Sequence, residues 1–442
     1  MKFGGTSVAD AAAFENVARI VAAQRNSSPV VVVSAMSGVT DALLAATPTS
    51  LGPIFSRHLA AAEQLLQEPE SERFADLVKR AEAQVREQLQ ADTSSKHKSI
   101  QDAVVSFGEI LSSALMAAVL NRRGVEARQV DARRCIITDD EHSSAKPLLR
   151  ETFARTQNEL RPLLESGVVP VLGGFIAATL QGATTTLGRG GSDYTAALIG
   201  AALNVDEIQI WTDVTGVLTA DPRVVPEAQT VERLSYGEAA ELAYFGAKVL
   251  HPKTIQPAIE NSIPVRICNS RKPEERGTLV GPQSETSPLT IKAIAHKTDV
   301  TTVQISSARM LGAYGFLRAL FEVFDRHRTV VDVVTTSEVS VSLSLDDASA
   351  LPAIVEELER LGTVRVEKHR AIICVVGEGL RGTPGIAARV FSAISDINVT
   401  LISQGASSIN FTFAIEEERV KEAVTRLHEE FFGHKEAESE SV

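Results

Sequence analysis

A glycine-rich segment, TTTLGRGGSDYTAALIG from Thr184 to Gly200, constrains the fold of this chain more than any other stretch. Three glycines surround Arg189, and Ser192 and Asp193 follow directly before an apolar run with helical spacing. A glycine loop that ends on a helix N-terminus presents free backbone N–H groups to an anion. The segment therefore predicts an anion-binding turn with a carboxylate-binding arginine, and a helix with Ser192 as its N-cap. An ordinary capped glycine turn is the alternative.

Composition excludes several classes of protein. The chain has 442 residues, of which 44% are hydrophobic, so two or three domains with ample cores are expected. Its net charge of -12 argues against nucleic acid as the main partner. No apolar run approaches the roughly 20 residues of a membrane span, and no signal peptide is recognisable. The cysteines Cys135, Cys268 and Cys374 form no metal-binding pair, and a reducing cytoplasm is the expected location.

The N-terminal region alternates between strand and helix patterns. A strand end and a diglycine turn at Lys2–Val8 lead into a predicted Thr/Ser-capped helix that ends near Ala23, and Pro29–Ser34 predicts a strand buried on both faces. This alternation is typical of a doubly wound α/β layer. Residues 56–100 predict a helical hairpin added to the sheet, and Ser106–Gly124 predicts a capped apolar helix.

The composition changes at a polar, proline-bounded linker that follows Gly281, which predicts a first domain over residues 1–285 and a second over 286–442. The second domain contains a βαββαβ pattern over about 299–369. A similar pattern over 370–442 lacks its last strand, and a spare strand over about 288–298 supplies it. We therefore expect the first unit to be inserted in the second; two unrelated α+β pieces are the alternative.

Charged residues stand beside glycine turns at several predicted strand ends, namely Lys2, Glu109, Arg189, Asp213 and Lys248. Ligands of open α/β sheets bind beyond the carboxyl ends of the strands, so these turns can converge. The chain contains neither a P-loop motif nor a GxGxxG turn opening its first helix. Lysines and an arginine around glycine loops favour a polyphosphate ligand, although a solvated surface position is the alternative for any single lysine.

Several long motifs occur in an order that resembles the aspartate kinases of the amino-acid kinase superfamily. They are KFGGTSV at Lys2–Val8, SAMSGVTD at Ser34–Asp41, SFGE at Ser106–Glu109, TTTLGRGGSDYTA at Thr184–Ala196, WTDVTGVLTADPR at Trp211–Arg223 and FGAKVLHP at Phe245–Pro252. The tail, with TTSEVSVSL at Thr335–Leu343, resembles the family's paired ACT domains. The resemblance implies a three-layer αβα amino-acid kinase fold with a mainly parallel sheet, followed by a ferredoxin-like ACT domain pair.

The implied reaction transfers the γ-phosphate of ATP to the β-carboxylate of L-aspartate, giving 4-phospho-L-aspartate, the first step toward lysine, threonine and methionine. The nucleophile is already ionised, with a pKa of about 3.9, so no general base is required. Mg²⁺ would arrive with ATP, without direct protein ligands. The resemblance implies catalytic roles for Lys2, Asp193 and Lys248, and contacts with aspartate from Thr40, Glu109, Arg189, Gly190, Gly191 and Ser192. For ATP it implies Lys2, Phe3, Gly4, Gly5, Thr212, Asp213, Leu218, Arg223, Lys248 and Val249; Leu218 stands where the family often has tyrosine.

The resemblance also implies feedback regulation by an amino acid bound between the ACT domains of two chains of a homodimer. L-Lysine is the first expectation, and threonine or a combination remains open. The implied effector residues are Met310, Ala313, Phe316, Leu317, Val331, Asp332, Ser337 and Glu338. Two other functions remain open: a catalytically silent ACT-based amino-acid sensor, and an amino-acid kinase that acts on a different carboxylate.

Overall fold

The computed structural model describes residues 1–91, 97–246, 250–282, 291–312 and 314–433. The chain packs into two compact units. The first comprises Met1–Val217 and Val249–Gln283, and the second comprises Leu218–Lys248 and Ser284–Val442. Residues 218–248, which precede the predicted linker, thus pack with the C-terminal part of the chain. The domain boundaries inferred from the sequence remain predictions.

The strands of the first unit are short, whereas two strands of the second unit are long. In chain order they are β1 Lys2–Phe3, β2 Val31–Val33, β3 Ala127–Val130, β4 Ile137–Thr138, β5 Val169–Gly173, β6 Ile176–Thr179, β7 Thr184–Thr186, β8 Ile208–Thr212, β9 Arg233–Ser235, β10 Val265–Asn269, β11 Thr278–Gly281, β12 Ile291–Ser306, β13 Val334–Thr336, β14 Ser340–Leu345, β15 Thr363–Gly377, β16 Leu401–Gln404 and β17 Asn410–Glu416.

The helices lie mostly between these strands. They are α1 Ala11–Ala23, α2 Val39–Leu44, α3 Gly52–Leu65, α4 Glu70–Gln90, α5 His97–Arg122, α6 Leu149–Glu165, α7 Gly191–Leu203, α8 Tyr236–Tyr244, α9 Gln256–Glu260, α10 Phe316–Arg326, α11 Leu351–Leu358, α12 Ile386–Ala393 and α13 Val420–Phe432. The helices α3 and α4 form the hairpin that the sequence predicts over residues 56–100.

The main sheet of the first unit has the strand order β3-β5-β2-β1-β8-β10-β11. All of these neighbours pair in parallel except β10 and β11, which are antiparallel. The buried run Val31–Val33 lies in the middle of this sheet, as its β-branched composition predicts. Phe3, Phe14, Phe55 and Leu115 belong to the core that α1, α3 and α5 share with the sheet.

The sheet of the second unit has the order β13-β14-β12-β15-β17-β16 and is antiparallel throughout. The two strands predicted before and after residue 298 are one continuous strand, β12, and those predicted on either side of residue 369 are one strand, β15. The register of their pairing shifts between Lys297 and Val300. Asp299 and His369 have left-handed φ angles of 58° and 56° at this irregularity, and each strand continues beyond it.

Two helix starts differ from the prediction. A short 3₁₀ turn over Gly5–Val8 precedes α1, which begins at Ala11 because the Asp10 side chain accepts a hydrogen bond from Ala13 N, 2.9 Å away. Ser106 does not cap a helix, since α5 starts at His97. Ser106 lies inside that helix and donates to the Ala103 carbonyl at 2.6 Å.

One helix of the described residues, Lys98–Arg122, is long and apolar enough to cross a membrane, contrary to the expectation that no apolar run approaches this length. However, 72% of its most apolar window is buried within the chain, and its residues Leu111, Leu115 and Leu120 are fully enclosed. The enclosed leucines show that this helix contributes to the core of the first unit.

We expect His58→Leu to raise the free energy of unfolding by about 1 kcal/mol, because a buried imidazole without partners carries a desolvation cost that leucine avoids. His58 is 1% exposed on α3, and neither ring nitrogen has a hydrogen-bond partner among the described residues. Burial lowers the pKa of His58 from 6.5 to about 4.

Between these two pH values His58 is protonated in the unfolded chain but neutral in the folded chain. The free energy of unfolding therefore decreases as the pH falls from 6.5 toward 4. Denaturant unfolding at several pH values, compared between the native chain and His58→Leu, checks this expectation. An equal acid dependence in both proteins would contradict it.

Candidate active site

Four parallel neighbours of the main sheet, β5, β2, β1 and β8, end at the same edge. The residues that follow them are Gly174, Ser34, Gly4 and Asp213 respectively. The edge is therefore formed by short turns from segments that are far apart in the sequence. This arrangement is the convergence of strand ends that the sequence predicts.

The centre of this edge is an ion pair between Lys2 of β1 and Asp193 of α7. Lys2 Nζ lies 2.7 Å from Asp193 Oδ1, and the two side chains are only 12% and 17% exposed. Asp193 is in the first turn of its helix, as expected. The structure thus brings together two residues that are 191 positions apart and that the family resemblance assigns to catalysis.

Ser192 occupies a different position from the one predicted. The N-cap of α7 is Gly190, whose φ of 73° is left-handed, and Ser192 lies inside the first helical turn. Its Oγ accepts a hydrogen bond from Ser34 Oγ at 3.0 Å. The prediction of a serine cap was wrong because the glycine turn enters the helix two residues earlier. Ser34 was not predicted as a site residue, although its position after a buried strand was a signal.

Gly174 is a further residue of this edge that sequence reasoning missed. A Cβ atom added to Gly174 would lie 2.6 Å from the Ser192 Cβ, well inside van der Waals contact. The glycine therefore permits the close approach of the turn after β5 to the first turn of α7. Its signal in the sequence was the GGF turn directly after the strand Val168–Leu172.

We expect Gly174→Ala to lower kcat/KM for the acceptor substrate that the resemblance implies by roughly 10²-fold, since the added methyl group would displace Ser192 and the first turn of α7. Gly52→Ala is the matched control, because nothing lies within 4 Å of a Cβ at that position. Steady-state kinetics with both variants checks the expectation. Equal kinetics for both would show that Ser192 tolerates displacement.

Glu109 of α5 is buried beside this edge, with 3% of its surface exposed. Its Oε1 accepts a hydrogen bond from Ala35 N at 3.2 Å, and its Oε2 has no partner in the described part of the chain. Gly173 allows this approach, since a Cβ there would lie 2.8 Å from the Glu109 Cβ. Burial raises the pKa of Glu109 from 4.5 to about 8, against a smaller opposing effect of the Ala35 N–H. A free carboxylate oxygen in such surroundings is suited to bind an ammonium group.

A network around Asp102, also on α5, supports the glycine turn, and it was not predicted. Asp102 accepts hydrogen bonds from Thr186 Oγ1 at 2.7 Å and from Ser143 N at 2.9 Å, and His142 Nδ1 lies 2.9 Å from the same carboxylate. A Cβ at Gly188 would lie 3.3 Å from the Ser143 carbonyl oxygen. The buried acid thus holds together β7 and the turn that packs on the GRGG segment. Its sequence signal was an aspartate within an otherwise apolar helix.

The remaining residues predicted to contact aspartate lie at two turns of the first unit. Arg189 is exposed between two glycines with left-handed φ angles of 73°. Thr40 is half-buried in α2, which follows β2 and has Gly38 as its N-cap. Both residues thus lie in or beside glycine turns.

The residues predicted to bind ATP are divided between the two units. In the first, Phe3 is buried and stacks on Trp211 with 5.8 Å between ring centroids, and Gly4 N donates to the Trp211 carbonyl at 3.2 Å. A Cβ atom at Gly5 would be crowded, since it would lie 3.0 Å from the Ala35 carbonyl oxygen. Thr212 Oγ1 donates to Asp213 Oδ1 at 3.2 Å.

In the second unit, Leu218 forms a β-bridge with Thr230, and Arg223 is paired with Asp221 at 2.6 Å while its side chain is 88% exposed. Lys248 and Val249 lie outside the described residues. Their predicted roles remain predictions.

The predicted effector residues lie in the second unit around α10 and the β13–β14 turn. Met310, Phe316 and Val331 pack on one core cluster that includes Leu320 and Leu343. Leu317 is exposed in the first turn of α10. Ala313 lies outside the described residues.

Two polar members of the predicted effector set lie at the β13–β14 turn, and a third precedes β13. Ser337 N donates to the Ser340 carbonyl at 2.8 Å, which closes the turn, and Glu338 is exposed. Asp332 N donates to the Ser344 carbonyl at 3.1 Å. The backbone therefore orders the segment around these three side chains.

Possible metal ligands occur in the second unit, where one oxygen or nitrogen atom from each of Asp299, His369 and Glu417 lies within 4.8 Å of the others. Glu417 Oε2 also accepts a hydrogen bond from Asp299 N at 3.1 Å. The trio is largely exposed at the irregularity of β12 and β15.

Comparisons with known proteins show what this architecture belongs to. The amino acid kinase family model matches residues 1–269, and an ACT domain model matches residues 373–431. The chain is 39% identical to aspartokinase 3, chloroplastic, of Arabidopsis thaliana over 98% of this chain and 81% of that protein. It is 37% identical to the lysine-sensitive aspartokinase 3 of Escherichia coli K12 over 98% of both chains.

Solved structures give the same result. The structure of E. coli aspartokinase III in complex with aspartate and ADP has a TM-score of 0.80 at 37% identity, with 98% of this chain and 99% of that chain covered. The aspartate kinase of Clostridium acetobutylicum has a TM-score of 0.86 at 27% identity, over 97% of this chain and 99% of that one.

These matches confirm the predicted αβα amino-acid kinase fold with a C-terminal ACT region. A match of the family model to more than half of the chain, together with relatives that align over nearly all of it, shows the family directly. The chain therefore belongs to the amino acid kinase family and, within it, to the aspartokinases that carry a C-terminal ACT domain.

Proposed function

We propose that this aspartokinase transfers the γ-phosphoryl group of ATP to the β-carboxylate of L-aspartate at the edge formed by β5, β2, β1 and β8. The observation that supports this best is the Lys2–Asp193 ion pair, because it holds an ammonium group at the centre of the edge. Phosphoryl transfer between two anions needs charge neutralisation and positioning more than proton transfer. Lys2 supplies the positive charge, Asp193 holds its orientation, and Gly4 and Gly5, which lack side chains, let the phosphate approach the backbone.

Aspartate binding divides between its two ends. Glu109 receives the ammonium group of the substrate through its unpartnered Oε2. Arg189, Thr40 and the turn Gly190–Gly191–Ser192 bind its α-carboxylate. The β-carboxylate is ionised at neutral pH, with a pKa of about 3.9, and attacks without a general base.

Mg²⁺ would accompany ATP rather than occupy a protein cage. Asp193 is engaged with Lys2, and Asp213 accepts a hydrogen bond from Thr212, so neither forms a ready set of ligands. Mg²⁺ typically retains waters and binds substrate phosphates, which fits an ion that would arrive with ATP without a direct protein ligand. The ion supplies neutralisation of phosphate charge. Thr212, Leu218, Arg223, Lys248 and Val249 complete the proposed nucleotide site.

The assay that tests this function combines the purified chain with ATP, Mg²⁺ and L-aspartate and traps the acyl phosphate with hydroxylamine. A hydroxamate with aspartate, and none with L-glutamate or carbamate as acceptor, is the expected result. Product from another carboxylate alone would make the protein a different amino-acid kinase. Binding of an amino acid without turnover would favour the silent sensor.

We further propose that L-lysine inhibits the enzyme through the ACT region of a homodimer. The relative in E. coli is named lysine-sensitive, and a structure of aspartokinase III contains lysine and aspartate. Large apolar side chains near the proposed effector residues are exposed in the single chain, among them Leu311, Tyr314, Leu317 and Val339. A partner chain would cover such side chains.

Inhibition curves with lysine and threonine, and light scattering after size-exclusion chromatography, test the effector and the dimer separately. A monomer or an activity flat across millimolar lysine would refute the corresponding proposal. A cytoplasmic location remains a prediction.

A further inference from the structure

Asp332 is the most deeply buried acid around the proposed effector residues, with a side chain that is 2% exposed. Its Oδ1 accepts a hydrogen bond from the phenol of Tyr244, at the end of α8. Its Oδ2 lacks a hydrogen-bond partner within the described ranges. Burial, followed by the neighbouring carboxyl of Asp346, raises the pKa of Asp332 to about 6. A buried carboxylate with one free oxygen binds a cation in preference to remaining alone.

The cation at this carboxylate is Lys297 of β12. Its Nζ lies 3.9 Å from Asp332 Oδ2, forms an ion pair with Asp346, and lies 4.9 Å from the centroid of the Tyr244 ring. Two carboxylates and one aromatic face therefore surround a single ammonium group. Carboxylates and aromatic faces are the groups that recognise alkylammonium ions. Lys297 itself is 25% exposed, so its ammonium reaches the edge of solvent.

We propose that Tyr244, Asp332 and Asp346 form a binding cage for a primary alkylammonium group, and that Lys297 is a tethered occupant which competes with the amino group of the effector. The competition with the effector rests on the proposed function, which places Asp332 in the effector site, whereas the cage itself does not. It adds three residues to that site and explains how the cage stays neutralised without effector. A ligand amine must displace an ammonium that the chain itself holds nearby.

The occupant of the cage also determines a contact of α8. An effector that takes over Asp332 breaks the hydrogen bond of the Tyr244 phenol at the end of this helix. Exchange of the occupant therefore changes the contacts of α8, which is the kind of differential contact that regulation requires.

Chemical rescue tests the cage without reference to any effector. Lys297→Ala removes the atoms of n-propylammonium from the side chain, so we expect the variant to have a lower Tm that n-propylammonium chloride restores in a saturable manner. The native chain and Lys368→Ala, an exposed lysine of β15, should respond no more to the amine than to sodium chloride or n-propanol. An equal response of all three proteins, or no rescue, would overturn the cage.

Lysine inhibition tests the competition. Lys297→Met keeps the apolar stem but removes the competing charge, so we expect about tenfold tighter inhibition by L-lysine, measured relative to the activity of the same variant without lysine. If Lys297→Ala does not fold, lysine inhibition of Lys297→Met still tests the proposal. Unchanged or weaker inhibition would overturn the tethered competitor. If n-propylammonium rescues Lys297→Ala but L-lysine inhibits neither the native chain nor the variants, the proposed effector would be refuted and the cage would still be supported.

Discussion

Lys2→Met is expected to lower kcat by about 10²–10³-fold, the usual effect of removing one group that stabilises charge in a transition state. Lys2 Nζ is 2.7 Å from Asp193 Oδ1, at the edge where we propose that the migrating phosphoryl group carries its negative charge. KM for ATP should change less than kcat, because the charge is needed most during transfer. The hydroxylamine assay at saturating substrates measures the effect.

The control is Lys79→Met, since that side chain is 73% exposed on α4. Lys2→Met also leaves the Asp193 carboxylate without its partner, so Tm should fall. The double variant Lys2→Met with Asp193→Asn should regain stability without regaining activity. A full rate in Lys2→Met would remove the residue from the mechanism, whereas an equal loss in the control would indicate a general charge effect.

Glu109→Gln is expected to raise KM for aspartate by about 10²-fold, because the ammonium group then lacks its buried counter-charge. KM for ATP should be unchanged. Burial places the pKa of Glu109 at about 8, so the free protein carries this group mostly protonated at pH 7. Binding an ammonium group requires the carboxylate, and the proton must leave. KM for aspartate should therefore fall as the pH rises from 6.5 to about 8 and level off above.

Calorimetry in two buffers of different ionisation enthalpy measures the released proton directly. The contribution of Glu109 to the free energy of unfolding depends on pH in the opposite direction. The folded pKa is raised above the ordinary 4.5, so the stability from Glu109 is complete below pH 4.5 and is lost as the pH rises through 8. Glu109→Gln should remove both dependences. A proton count of zero at pH 7 in the native chain would contradict a Glu109 that is protonated before it receives the ammonium group.

The motifs predicted the fold class and the edge at which charged residues meet, because parallel strands end on the same side of a sheet. Local details were less predictable. Ser192 was expected to cap α7, but the left-handed Gly190 begins the turn earlier. The strands expected on either side of residue 298 form one strand, since a left-handed Asp299 lets β12 continue through an irregular register. Short-range patterns do not distinguish a bulge from a strand end.

Side chains that act through distant contacts were the least accessible to sequence reasoning. Asp102 holds Thr186 and Ser143, which are more than 40 positions away. Gly174 was visible only as part of a turn, and its role depends on how closely α7 approaches. Tyr244 directly precedes the FGAKVLHP motif but contacts Asp332, 88 positions later. Each of these roles arises from packing between segments and has no local pattern.

The sequence by itself determined the family, the alternation of strand and helix, and the kinds of charged groups that stand beside glycine turns, since these depend on residue type and near neighbours. Only the tertiary structure decided which charged side chains form ion pairs and how far burial shifts the pKa values of the ionisable groups. Lys2 pairs with Asp193, and Glu109 and Asp332 each have one buried oxygen without a hydrogen-bond partner in the described part of the chain. The cost of removing a charge from water depends on all atoms around it, and those atoms come from parts of the chain that only folding brings together.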